Sequence, residues 1–79
     1  MKWSSARYDS FSTNYRKTAR GEGYIATVVY NGTHNYFYFM VQMNEYSYNS
    51  LWNNKKYATE EECCNECEKF CENYETMKS

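Results

Sequence analysis

The chain has 79 residues, 20% of them aromatic and 24% charged, with a formal net charge of −1. That length allows one domain with a modest core, and no run of about 18 apolar residues is present to make a membrane-spanning helix. Met1-Lys2-Trp3-Ser4-Ser5 has no apolar run behind its charge, so no secretory signal is read, and the four cysteines are expected to be reduced thiols in a cytoplasm.

The first segment carries Lys2, Arg7, Arg16, Lys17 and Arg20 against Asp9 alone. It is rich in Ser, Thr and Asn, a composition that buries little apolar surface. Residues 1–21 are therefore read as a basic N-terminal arm, flexible or loosely packed. Tyr8, Phe11 and Tyr15 stand at helical spacing, which permits a short amphipathic helix there. Gly21-Glu22-Gly23 then breaks the chain.

Residues 22–79 are read as a βββα domain. Tyr24 to Tyr30 is β-branched and aromatic, a strand by propensity. Asn31-Gly32 follows as a hairpin signal, since a type I′ turn needs positive φ at both central residues. Tyr36 to Met43 is the returning strand, and a third strand is placed within Tyr46–Trp52. Thr59-Glu60-Glu61-Glu62 opens a helix as a capping box: the Thr59 hydroxyl accepts from the Glu62 amide and the Glu62 carboxylate reaches back. The helix is expected to run to about Glu75. The fold class is α+β, a three-stranded antiparallel sheet with one C-terminal helix packed on one face.

Sidedness in a hairpin has period two, so an even loop at Asn31-Gly32 fixes the faces. Tyr24, Ala26, Val28 and Tyr30 lie with Phe37, Phe39, Val41 and Met43, the more apolar set, which should meet the helix. On the helix, Cys63, Cys67, Phe70, Cys71, Tyr74 and Met77 form one stripe, with Glu61, Glu68, Lys69, Glu72 and Glu75 opposite. The other sheet face carries Ile25, Val29, Tyr36, Tyr38 and Met40 with no second helix to cover it. An apolar, Tyr-rich patch of this kind marks an interaction site, unless the arm folds back over it with Trp3, Tyr8, Phe11 or Tyr15. A homodimer across the patch is a further way to cover it.

The chemistry-bearing residues point away from catalysis. Cys63, Cys64, Cys67 and Cys71 lie on one helix, and Cys63 and Cys71 are separated by roughly 12 Å along its axis. Four ligands so placed do not converge on one zinc ion, so the cysteines are read as core and no metal or cofactor is expected. The surrounding glutamates oppose thiolate formation, which excludes a redox pair. His34 is the sole histidine and has no nucleophile or orienting partner in sight, so no catalytic residue is assigned.

Two binding readings follow. In the first, Tyr36, Tyr38 and Met40 with Glu61, Glu68 and Glu72 capture a protein partner, and the chain is an inhibitor or adaptor. In the second, Arg7, Arg16, Lys17 and Arg20 hold phosphates while the tyrosines stack bases, and the chain is a small nucleic-acid-binding module. The three strands read from sequence place no Arg or Lys on the exposed face, which weighs on the second.

Lys56-Tyr57-Ala58-Thr59-Glu60-Glu61-Glu62-Cys63, at a strand-to-helix junction, resembles the three-stranded DNA-binding domains of plant ethylene-response factors and phage integrase arms. In those families the junction reads aromatic, Thr, then Glu-Glu-Ala, and the sheet reads a DNA groove with Arg and Trp where Tyr and Met stand here. The size, Asn/Tyr richness and acidic helix also resemble small phage-encoded anti-defence proteins such as anti-CRISPR inhibitors. That likeness implies tight binding to a host effector or nuclease complex in the cytoplasm, with the acidic helix meeting a basic groove.

Overall fold

A computed structural model of the chain describes residues 1–78. The strands are β1 (Arg7–Tyr8), β2 (Tyr15–Gly21), β3 (Tyr24–Asn31), β4 (Tyr36–Met43) and β5 (Ser47–Asn49); a 3-10 helix at Ser50–Asn53 follows, and helix α1 (Glu60–Lys78) closes the chain. The strands form one antiparallel meander in the order β1-β2-β3-β4-β5, with α1 packed on one face. The architecture is α+β as read from sequence, but the sheet has five strands rather than three.

The two extra strands come from the basic N-terminal segment. β2 pairs with β3 over seven residues, from Tyr15↔Tyr30 to Gly21↔Tyr24. Its inward positions are Tyr15, Lys17, Ala19 and Gly21, so only alternate residues of a weakly apolar series face the core. Lys17 is tolerated there because its Nζ lies 3.0 Å from Glu60 of α1, and a partner 43 residues away is invisible to a local pattern. Gly21-Glu22-Gly23 does not break the chain but turns it: Glu22-Gly23 is a two-residue hairpin loop in which Gly23 adopts φ 82°, a conformation open to glycine at no steric cost. Tyr8, Phe11 and Tyr15 form no helix; Tyr8 and Tyr15 are paired across strands with ring centroids 5.2 Å apart.

The β3–β4 turn also differs from expectation. Asn31 is still in the strand, paired with Tyr36, and Gly32–Asn35 form a four-residue loop. The left-handed residue is Asn35 (φ 58°), not Asn31 or Gly32. The Asn31 side chain accepts from the amides of Thr33 and His34 at 3.1 and 3.2 Å, and the Gly32 amide donates to the Asn14 side chain at 2.6 Å. A tertiary contact from the β1–β2 loop thus overrides the local I′ preference. The loop remains even in length, so the face assignment of β3 and β4 stands: Tyr24↔Met43, Ala26↔Val41, Val28↔Phe39 and Tyr30↔Phe37 share the helix side.

The third strand expected within Tyr46–Trp52 shortens to β5. Asn49 ends it by accepting from the Leu51 amide at 2.9 Å, which caps the 3-10 helix. Ser50, fully buried, accepts from the Phe39 amide at 3.1 Å, and Tyr57 exchanges backbone bonds with Phe37 at 2.8 and 2.9 Å. β5, Ser50 and Tyr57 together satisfy the outer edge of β4, whose buried amides would be costly unpaired.

The core lies between the sheet and α1: Ala26, Val28 and Val41 from the sheet meet Cys63, Cys67 and Cys71 from the helix, all without exposed surface. Phe70 and Tyr74 pack beside them. The helix starts where the capping box placed it, with the Thr59 hydroxyl accepting from the Glu62 amide at 3.1 Å, and it continues past Glu75 to Lys78. Met77 is not on the buried stripe; it is 85% exposed, three residues beyond Tyr74, which meets Tyr24 at the start of β3. Residues before β1 run along β2, with the Ser4 amide donating to the Thr18 carbonyl at 2.8 Å. Trp3 packs against the core on the helix side, and the Met1 ammonium lies 3.5 Å from Glu68. The N-terminal segment therefore widens the sheet and leaves the face opposite α1 open.

Candidate nucleic-acid interface

The open face is laid out in cross-strand rows, because paired residues in an antiparallel sheet share a side. One row runs Arg7, Arg16, Val29, Tyr38. The next runs Thr18, Thr27, Met40, Asn49, and the next Arg20, Ile25, Gln42, Ser47. Tyr36 lies on the same face beyond Tyr38. Arg7, Arg16 and Arg20 thus join Tyr36, Tyr38 and Met40 on one surface, and the expectation that this face holds no Arg or Lys is overturned by β2. Strand alternation does this: Tyr15, Lys17 and Ala19 turn inward, so Arg16, Thr18 and Arg20 must turn outward.

The three arginines are solvent-exposed. Asp9 approaches Arg16 at 3.8 Å, but the Arg16 side chain remains 59% exposed, so this pair holds it weakly. Lys17 stands apart from them, inside the Tyr15–Glu60 cluster under α1. The Tyr15 hydroxyl donates to Glu60 at 2.7 Å and Lys17 donates to the second oxygen at 3.0 Å. Burial raises the Glu60 pKa, but these two donors outweigh it and hold the carboxyl below its ordinary value. Lys17 is therefore part of the helix anchorage, not of the open face.

The aromatic part of the face is a short series that runs from the β3–β4 loop onto β4. His34, Tyr36 and Tyr38 have successive centroid separations of 6.4 and 6.1 Å, and the Lys56 ammonium sits 4.7 Å over the Tyr36 ring. Burial, and then the neighbouring Tyr36, push the Tyr38 hydroxyl above its ordinary pKa, with Arg16 opposing. Tyr38 is therefore a neutral hydrogen-bonding group at physiological pH. Shallow hollows open along this face. One, about 450 Å³, lies among Arg7, Asp9, Arg16 and Thr18. A second, about 200 Å³, lies among Asp9, Arg16, Val29, Tyr38 and Met40. A third, about 270 Å³, lies among Ile25, Thr27, Met40, Gln42, Asn49 and Trp52. Trp52 is 66% exposed and was not among the candidates read from sequence. Its one local signal is the Asn49 cap, which fixes the short helix that carries it.

The acidic candidates lie on the other side of the molecule. Glu61 and Glu72 are exposed on α1, and Glu68 is half-buried beside the Met1 ammonium. They do not share a surface with Tyr36, Tyr38 and Met40. Glu75, read as part of the outer face, turns back to accept from the Tyr24 hydroxyl at 2.7 Å. The cysteines face the core, where burial raises the Cys63 thiol to about 12 and the half-buried Cys64 thiol to about 11. Among the described residues, no three His, Cys, Asp or Glu side chains come together as ion ligands, and no helix is long and apolar enough to cross a membrane.

By fold and surface, then, this is a small α+β domain that presents one uncovered sheet face bearing arginine and tyrosine. Comparison with protein-family models, curated proteins and solved structures gave no match.

Proposed function

We propose that the chain is a small nucleic-acid-binding module whose binding surface is the open face of the sheet. One observation carries the reading: Arg7, Arg16 and Arg20 lie on the same face as Tyr36, Tyr38 and Met40, and Arg7, Arg16 and Tyr38 share one cross-strand row through Val29. Aromatic rings on a sheet stack unpaired bases, and neighbouring arginines neutralise phosphates. The charge distribution supports the same orientation. Seven glutamates between residues 60 and 75 lie on or under the helix side, so the protein as a whole is acidic while one face is cationic. A polyanion would be drawn to one side and repelled from the other.

Arg7, Arg16, Arg20 and Lys56 can neutralise up to four phosphates, one per cation. For single strands the slope of log K against log salt is then about −3, a loss of roughly fiftyfold between 50 and 200 mM salt. The test is fluorescence anisotropy of a labelled oligonucleotide across that salt range, with wild type and Arg16→Ala/Arg20→Ala. Binding that weakens with salt and falls in the variant agrees with the reading. Absence of binding at the lowest salt removes it.

A second reading has its own support. Glu61 and Glu62 flank a shallow hollow with Glu66 and Lys69 on the exposed side of α1, an acidic surface that suits a basic protein groove. In that case the chain is a protein-binding inhibitor or adaptor, in the manner of small phage anti-defence proteins, and covers a host effector's nucleic-acid site. Capture of a purified basic effector that survives nuclease and fails with Glu61→Lys/Glu72→Lys would favour it over the first.

A further inference from the structure

The proposed face carries a finer signature of what it binds. A duplex presents stacked bases whose faces are hidden, and its major groove is read through donors and acceptors on base edges between two walls of phosphate. The centre of this face offers Ile25, Val29, Tyr38 and Met40, apolar or aromatic side chains suited to base faces rather than edges. Its cations are also one-sided. Arg7, Arg16 and Arg20 all stand on β1 and β2, whereas β5 and the short helix after it offer Ser47, Asn49 and Trp52 to this face, and Lys56, in the loop that follows, is drawn onto the Tyr36 ring.

Geometry connects the two halves. Arg16 and Arg20 are four residues apart on one strand, roughly 13 Å, and each row leads about 10 Å across two strand spacings from β2 to β4. A single phosphate chain following β2 would lay its bases across the rows. The hollow of about 270 Å³ at the end of the Thr18 and Arg20 rows is smaller than a drug-sized pocket and is walled on its outer side by the exposed Trp52 indole. Gln42 and Asn49, on the same face, supply amide groups at its edge; the Asn49 oxygen is already occupied by the Leu51 amide.

Resting on the nucleic-acid reading above, we infer that the open face takes a single strand rather than a duplex, with phosphates along Arg7, Arg16 and Arg20 and one unstacked base held against Trp52 in the hollow between β3, β4 and β5. Trp52 is the specificity-determining wall of that hollow, and Tyr38 is the platform for the neighbouring base.

The experiment uses the full chain, an oligothymidine of about 15 nucleotides, and a duplex of the same length. Anisotropy gives the two affinities, and intrinsic tryptophan fluorescence reports stacking. Single-strand affinity should exceed duplex affinity by at least about tenfold, with fluorescence quenched on binding, because an aromatic ring on a base face needs that base unpaired. The quench should vanish in Trp52→Phe, which keeps the platform, and Trp52→Ala should lose about tenfold in single-strand affinity. Equal or tighter duplex binding, or a quench that persists in Trp52→Phe, overturns the inference while leaving a nucleic-acid module in place. No binding to either probe overturns both.

Discussion

Arg16 and Tyr38 stand on one cross-strand row of the open face, with Val29 between them. The arginine comes from a segment whose composition reads as a loose arm, and the tyrosine from the clearest strand in the chain. Their juxtaposition turns two separate sequence features, a basic N-terminus and an aromatic strand, into one surface. It also predicts which basic residues matter for binding and which do not.

Arg16→Ala and Arg20→Ala should each reduce the salt slope of oligonucleotide binding by about 0.7 while leaving stability within about 0.5 kcal/mol. Lys17→Ala is the internal control. Lys17 faces α1 and pairs with Glu60, so its loss should leave the salt slope unchanged and lower stability by up to about 1 kcal/mol. Anisotropy across salt and chemical denaturation distinguish the two outcomes.

Much of this layout was legible in the sequence, and the part that was not has a physical cause. Tyr24–Tyr30, Tyr36–Met43 and the Thr59 cap announced themselves by propensity and capping chemistry, and the parity of the hairpin gave both faces of β3 and β4. β2 is hidden from a local pattern because its inward series contains a lysine, neutralised by Glu60 from the far end of the chain. Without β2, the arginines have no assigned face. Asn31-Gly32 carried a strong local signal that Asn14 redirects through a contact 18 residues distant. Nothing local in the sequence says which way the short helix points Trp52.

The pH dependence of stability follows from the buried hydroxyls and thiols. Burial, and then the bond to Glu75, raise Tyr24 above the ordinary 10.0. Burial, and then nearby negative groups, push Tyr57 up to about 12 and Cys63, ordinarily 9.0, up to about 12. Each is an acid whose folded pKa exceeds its unfolded value. Its contribution is fully present below the unfolded pKa and is lost as pH rises through the folded one. The thermal midpoint should therefore hold to about pH 9 and fall above it, and Tyr24→Phe should flatten part of that fall. Glu60 has the opposite sign: its lowered pKa gives a contribution present above 4.5 and lost as pH falls through the folded value. Glu60→Gln should shrink the acid limb and also soften the alkaline one, because the Glu60 carboxylate helps hold Tyr15, Cys63 and Cys64 protonated. Thermal melts across pH check both limbs.

Thiol accessibility should divide the cysteines. Cys63, Cys67 and Cys71 have no exposed surface, and Cys64 is partly exposed. A maleimide at neutral pH should label Cys64 first and slowly, since its thiol is held protonated by burial and by Glu60. The other three should react only as fast as the protein opens. Cys67→Ala should cost about 1–3 kcal/mol through the cavity it leaves. Mass spectrometry of labelled peptides with time gives the order.

Phe11 holds φ 59° at the β1–β2 turn with its side chain fully exposed. A bulky residue there carries left-handed strain without burying its ring. Phe11→Asn should raise stability by about 0.5–1 kcal/mol, because Asn enters this region readily. Denaturant titration of the two proteins measures the difference.

If the face opposite α1 is the nucleic-acid-binding surface, amide chemical-shift mapping will locate it. An unlabelled oligothymidine is titrated into the isotope-labelled chain and perturbations are followed residue by residue. Arg16, Thr18, Arg20, Thr27, Tyr38 and Met40 should shift together and saturate at one affinity, while Glu61 and Glu72 stay put. Shifts concentrated on α1, or none at all at low salt, would contradict that assignment.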